Sequence, residues 1–363
     1  MNRRKGMAGL IKALSRRQFM TGTAAVGISL TAMPKFARAQ GAGNVVFANW
    51  DTYIGETTLD DFSAETGIRV TVDTFADVSE LFAKMRGGNV AYDVIMPSND
   101  WLPRMVAANM LQELDHSKIP NISNIFPRFM DEPFDPGRKY SLPYMWGTVG
   151  IGYRKSAVSS EPNSWKYLYD SDEYSNKIAL LSDCGTMLGC ALKYLGYSLN
   201  STDKAENEAA AELIIKQKKH IKAFAEDNGQ DLLAAGEVDL TMEYNGDIVQ
   251  LMTEDDDVDY VIPKEGGILW EDVMAIPANA ANVDNAHALI NYIHEAEPNQ
   301  LITDYIQYAT ANKAGFELMD DDYKSNEDIF PPDDVIAVSE FAEYLGEDVT
   351  QMREDLCTKI NAA

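Results

Sequence analysis

The sequence predicts an α/β protein built as two lobes joined by short crossing strands. Three observations carry this. Short apolar runs alternate with helically spaced segments over residues 44–109, the same alternation recurs with different residues over 177–263, and a glycine-punctuated stretch separates the two.

In the first half, residues 44–48 are short and apolar, as a buried strand is. Over 58–65, Leu59 and Phe62 share one helical face and Gly67 supplies a stop. Residues 68–75 alternate as a strand, 78–86 read as a helix ended by Gly87-Gly88, 92–96 as a buried strand and 100–109 as a further helix. The stretch SLPYMWGTVGIGY (141–153) carries Gly147, Gly150 and Gly152, which suit a crossover or hinge rather than a regular element. In the second half, 177–181 reads as a strand, 183–196 as a loop and helix, 205–225 as one long polar helix, and 238–244 and 258–263 as strands. A second crossing is expected around 272–276, and helical spacing over 335–360 predicts a final helix packed back on a lobe. The lobes are expected to comprise 44–149 with 272–316, and 150–271 with 317–363.

The first 39 residues hold eight basic side chains and no acid, then a soft apolar run over 21–33 and Ala37-Arg38-Ala39. That order reads as a cleavable export signal, and the Arg16-Arg17 pair in SRRQFM suggests the twin-arginine route. No Cys follows the small-residue cleavage site, which argues against a lipid anchor, and no later run reaches the length of a membrane-spanning helix. With eight of its 31 bases in that leader and all 57 acids beyond it, the remaining chain has a formal charge of −34. Such a field repels nucleic acid and anionic membranes and attracts cations.

Three cysteines, Cys184, Cys190 and Cys357, cannot all pair and match no zinc-ribbon spacing. A Cys184–Cys190 bridge depends on the geometry around Gly185 and Gly189, which the sequence leaves open. His116, His220, His287 and His294 fall in no catalytic or zinc spacing, and His287 and His294, seven apart on a polar helix, read as surface residues. The acidic runs 254–257 and 320–322 read as solvated loops without the ligand spacing of a calcium loop. Neither a nucleophile elbow nor a phosphate-binding loop is present. An enzyme is not expected, nor a metal or cofactor.

Ligands in open α/β sheets bind beyond the carboxyl ends of the strands. The residues there are Trp50, Asp51 and Tyr53; Ser98, Asp100 and Trp101; Asp183; and Asp247. They are acidic and aromatic, with no Lys or Arg, which suits an organic cation and not a phosphate. Asp183 and Asp247 also stand where helix N-caps would, and capping explains either of them equally well. In PKEGGILWEDVMAIPANA (263–280), Trp270 and Asp272 lie two apart just before an apolar strand. A ring and a carboxylate side by side hold an ammonium through the ring quadrupole and a charge-assisted hydrogen bond.

These segments, with NVVFANWDTYIGETTLDDFSAETGIRV, AYDVIMPS, EPFDP and ALKYLGYS, closely resemble the spermidine/putrescine-binding proteins of polyamine ABC importers, from Asn44 to the last helix. The resemblance implies the two-lobed periplasmic-binding-protein fold, a ligand cleft between the lobes, a periplasmic monomer and a membrane permease as partner. Carried over by position, it implies ligand contacts at Trp50, Asp51, Tyr53, Ser98, Asp183, Tyr244, Asp247, Trp270, Asp272 and Tyr308. Asp100 stands where spermidine binders tend to have an aromatic, and Thr186 where the family often has a Glu. The family's C-terminal Trp and Gln are not evident around Phe341 and Ala342. Two ligand classes follow: putrescine or spermidine held by paired carboxylates, or a methylated onium solute, a betaine or sulfonium zwitterion, held in an aromatic cage. The second needs inward-facing bases such as Arg154 or Lys155 for the ligand's carboxylate.

Overall fold

The computed structural model describes residues 43–363 apart from 89 and 227, so the export signal read over 1–39 lies outside the described residues. Among the described residues eleven strands form one continuous sheet: β1 (Asn44–Trp50), β2 (Arg69–Phe75), β3 (Val94–Ile95), β4 (Ser141–Arg154), β5 (Ile178–Leu181), β6 (Ile221–Ala225), β7 (Leu240–Tyr244), β8 (Val258–Val261), β9 (Ile268–Ala275), β10 (Ala309–Thr310) and β11 (Glu340–Phe341). The main order is β2-β1-β3-β9-β4-β7-β5-β6. At one end β1 runs parallel to β2 and β3, and at the other β5 runs parallel to β6 and β7. Each parallel end is the sheet of one lobe. Buried on both faces, such strands need near-continuous apolar residues, and Ile178 to Leu181 are all fully buried.

The lobes share β4 and β9, which pair antiparallel in the middle. The first residue of β4, Ser141, lies opposite Ala275, which in turn pairs with Ile95 of β3. The far end of β4, from Val149 to Arg154, pairs with β7 and β8 of the second lobe. The 141–153 stretch is therefore a crossover, as expected, but it crosses as part of one 14-residue strand, Ser141–Arg154, whose register against β9 shifts between Pro143 and Trp146. Its glycines serve close packing: a Cβ on Gly147 would lie 2.3 Å from Asn245 Oδ1 and 2.6 Å from the Trp270 ring. Trp270 and Asp272 lie inside β9 and not ahead of a strand, because pairing with β4 extends the strand back to Ile268.

Tertiary pairing also revises two helices. Over 205–225 the helix stops at Gln217, and after a short 3-10 turn the residues IKAFA become β6, drawn into the sheet by pairing with β5. Over 335–360 there are a short helix Asp333–Val338, β11 pairing with β9, and a helix Glu347–Ala362, separated by Gly346 in the left-handed region at φ +91°. Cys184 bonds Cys357 across a Cα separation of 6.0 Å, and Cys190 is buried with a free thiol. Cys184 and Cys190 share the helix Cys184–Tyr194, about 9 Å apart along its axis at 1.5 Å per residue, too far for a bridge.

His287 and His294 are buried rather than surface residues, each 1% exposed. The His287 Nε2 accepts from the Asp115 amide at 2.9 Å, and Nδ1 lies 2.7 Å from the Val283 carbonyl, so the ring fastens two segments. Burial and the nearby Arg138 push His294 down to about 3. Among the described residues no helix is long and apolar enough to cross a membrane, and no cluster of metal-ligating side chains occurs.

Candidate ligand cleft

Alternation along β9 sends Trp270 and Asp272 to one face and Glu271 to the other. Asp272 is 8% exposed, and its backbone pairs with Ser98, so the loop after β3 is tied to the strand at this point. Around Trp270 the rings form a box. Tyr308 stands edge-on at 5.1 Å between centroids and Tyr244 at 5.9 Å, and Tyr53 adjoins Tyr308 at 5.7 Å. The Tyr308 hydroxyl donates to Asp247 Oδ2 at 2.8 Å, bringing a second carboxylate to the box.

Burial, then the neighbouring Asp272 carboxylate, hold the Tyr53 phenol well above its ordinary pKa, and the same two causes act on Tyr144. Tyr144 lies in β4, packs edge-on against Tyr53 at 5.2 Å, and donates to the Tyr53 carbonyl at 2.9 Å. The sequence reading missed Tyr144 because it took only the glycines of SLPYMWGTVGIGY as informative. The signal was the placement of that Tyr on the crossing strand.

On the far side of β9, Glu271 meets Arg138 at 2.6 Å with both side chains fully buried. Burial pushes the Glu271 carboxyl up to about 8 against the opposing pull of Arg138. Asn99 adds two bonds to the Glu271 backbone, its amide donating at 2.8 Å and its Oδ1 accepting at 3.0 Å. Together these hold the strand that presents Trp270 and Asp272.

A second group lines a cavity of about 650 Å³ between the lobes, with Asp100, Trp101, Asp183, Glu343, Tyr344 and Arg353 in its wall. Ser98 Oγ donates to Asp100 Oδ1 at 2.6 Å. Burial first, with Asp183 acting in the same direction, pushes Asp100 up to about 6. Asp183 accepts from the Thr186 amide at 2.7 Å and caps the helix Cys184–Tyr194. It also remains exposed on the cavity wall, so capping and cavity lining coincide.

Of the other expected contacts, Trp50 packs at a tilt against Phe75 of β2, 4.7 Å between ring centroids, and Asp51 is exposed and accepts from the Thr52 amide. Arg154 is engaged by Asp255 and Asp257 at 3.1 and 3.0 Å, and Lys155 lies 4.0 Å from Asp259. The acidic run at 254–257 is thus part of an ion-pair network. At Ala342 the backbone carbonyl accepts from Asn99 Nδ2 at 2.6 Å.

Two α/β lobes sharing a pair of crossing strands, with a ring-lined acidic cleft against those strands, define a two-lobed solute-binding protein. The profile of the bacterial extracellular solute-binding proteins matches residues 57–331, and the chain belongs to that family. It is 33% identical to the spermidine/putrescine-binding periplasmic protein of Salmonella typhimurium over 97% of this chain and 99% of the relative. It is 34% identical to the putrescine-binding periplasmic protein SpuD of Pseudomonas aeruginosa over 82% of this chain and 87% of SpuD. Among solved structures, the spermidine/putrescine ABC transporter substrate-binding protein PotD of Streptococcus pneumoniae superposes with a TM-score of 0.78 at 33% identity, covering 88% of this chain and 99% of PotD.

Proposed function

We propose that this protein captures putrescine or spermidine in the periplasm and delivers it to the membrane permease of an ABC importer, acting as a monomer and without catalysis. The observation that carries the reading is Asp272, a carboxylate buried to 8% exposure against Trp270, Tyr53 and Tyr144, with Asp247 brought to the same box by Tyr308. A carboxylate removed from water beside ring faces suits an organic ammonium, because desolvation strengthens both the ion pair and the cation–π attraction.

In this reading Asp247 and Asp272 grip one ammonium, while Trp270, Tyr244, Tyr308, Tyr53 and Trp50 flank the methylenes, each worth about 0.8 kcal/mol on burial. Asp183 and Asp100, with Ser98 holding the latter, take the distal ammonium, and Asp51 lies at the entrance. The lobe boundaries that accompany it are 44–149 with 272–316, and 150–271 with 317–363. The onium alternative loses Arg154 and Lys155 as partners for a ligand carboxylate, since both are tied to acids of the 254–259 segment.

Calorimetry on ligand-free protein with putrescine, spermidine, a betaine and a sulfonium zwitterion tests the reading. Binding of a diamine or triamine supports it. Binding of only a zwitterion transfers the cleft to the onium class.

A further inference from the structure

The C-terminal segment touches both lobes, and its two attachments differ in kind. To the second lobe it is fastened firmly. Cys357 is bonded to Cys184, the residue after Asp183; Arg353 Nη2 donates to the Leu199 carbonyl at 2.7 Å; and Lys193 Nζ meets Glu340 at 2.6 Å. To the first lobe it is held at its leading end by polar contacts. Arg104 forms a two-point pair with Glu347, Nε to Oε1 at 3.0 Å and Nη2 to Oε2 at 3.2 Å, and the Tyr344 hydroxyl donates to the same Oε1 at 2.8 Å. The Arg104 guanidinium is set in place by Phe82 and Trp101, whose ring centroids lie 4.9 and 4.8 Å away.

Arg104 lies on the first-lobe helix Trp101–Ala107, directly after Asp100, and Glu347 opens the last helix. Tyr344 and Arg353, from the C-terminal segment, line the inter-lobe cavity together with Asp100 and Asp183. The Arg104–Glu347 pair, with Asn99 Nδ2 donating to the Ala342 carbonyl at 2.6 Å, thus joins the first lobe to a segment that is fastened to the second.

We infer that the segment from Glu340 to the end of the helix Glu347–Ala362 is a strap riveted to the second lobe by Cys184–Cys357, and that Arg104–Glu347 is its latch on the first lobe, setting how long a bound cation is retained. The inference rests on the cleft being a cation site. A contact made only when the lobes are together multiplies retention without touching the ligand, because it favours the closed population. Planar two-point pairing and a guanidinium already ordered by two rings make this pair stronger than an ordinary surface bridge, although Glu347 is largely exposed.

The test is stopped-flow dissociation of putrescine or spermidine, whichever the intact protein binds, from wild type and Glu347→Gln, with small-angle scattering of both proteins without ligand. Dissociation about three- to tenfold faster and a larger ligand-free radius of gyration are expected for Glu347→Gln. The charge-swapped pair Arg104→Glu with Glu347→Arg should recover part of the retention. The Cys184→Ser/Cys357→Ser double variant, verified as folded by circular dichroism, should also accelerate release. An unchanged rate and unchanged scattering for Glu347→Gln would overturn the latch. If wild type binds neither polyamine, the cation reading of the cleft fails, and the scattering comparison still decides whether the pair holds the lobes together.

Discussion

Asp272→Asn is the sharpest perturbation the cleft offers. The two side chains have nearly the same shape, so the variant removes charge from a site 8% exposed while leaving the packing of Tyr53, Tyr144 and Trp270 in place. A charge-assisted hydrogen bond contributes about 1.5 to 3 kcal/mol. At 1.4 kcal/mol per decade, polyamine affinity should fall about 10- to 150-fold. Stability should hold or rise, because the native state no longer keeps a carboxylate away from water beside two buried phenols. Titration calorimetry with putrescine and spermidine measures the first quantity, and urea unfolding followed by circular dichroism measures the second. A folded Asp272→Asn protein with wild-type affinity for both amines would remove Asp272 from the site and refute the argument that its burial serves a cation.

Asp100, raised to about 6, takes up a proton more readily folded than unfolded, so its contribution to stability is greatest below about pH 4 and is lost as pH rises from there through 6. A cation needs it ionised, so polyamine affinity should weaken as pH falls through 6, and Asp100→Asn should flatten that part of the calorimetric pH profile. With its carboxyl pushed up to about 8, Glu271 is largely protonated at lower pH, so Glu271→Gln should cost less than about 1 kcal/mol in urea unfolding at about pH 6.5, and increasingly more above pH 8, toward the about 3 to 5 kcal/mol of a buried pair that loses one ionised partner. A loss of about 3 to 5 kcal/mol at both pH values would mean that the pair is ionised throughout. Reducing Cys184–Cys357, which closes a separation of 173 residues, should lower stability by about 2 to 5 kcal/mol in melts with and without reductant, while the buried Cys190 thiol should stay unreactive to a thiol reagent until the chain unfolds.

Where local pattern and tertiary context agree, the residues alone locate the elements. The helix expected over 78–86 is the observed Val78–Arg86, and strands expected over 68–75 and 177–181 appear within one residue. Disagreements arise where a partner decides. IKAFA at 221–225 has no strong signature and becomes a strand only because β5 offers it an edge, and EF at 340–341 is a strand only against β9. In the cleft, the ring and acid at Trp270 and Asp272 were visible from their spacing, Asp247 from its place after a strand, and Tyr308 from resemblance. Tyr144 was not, since its role comes from crossing between lobes beside Tyr53.

By itself the sequence determined the α/β class, the lobe alternation, and the acidic and aromatic character of the strand ends, because these follow from periodicity, composition and local motifs, and it carried the family through the resemblance of whole segments. Tertiary structure decided the rest. It continued the crossing strands through both lobes, paired Cys184 with Cys357, buried Arg138 against Glu271 behind the site and His294 near Arg138, and carried the C-terminal strap across to Arg104. Each of these joins residues more than a hundred positions apart, and such pairings are set by how the folded chain returns on itself, which no local pattern records.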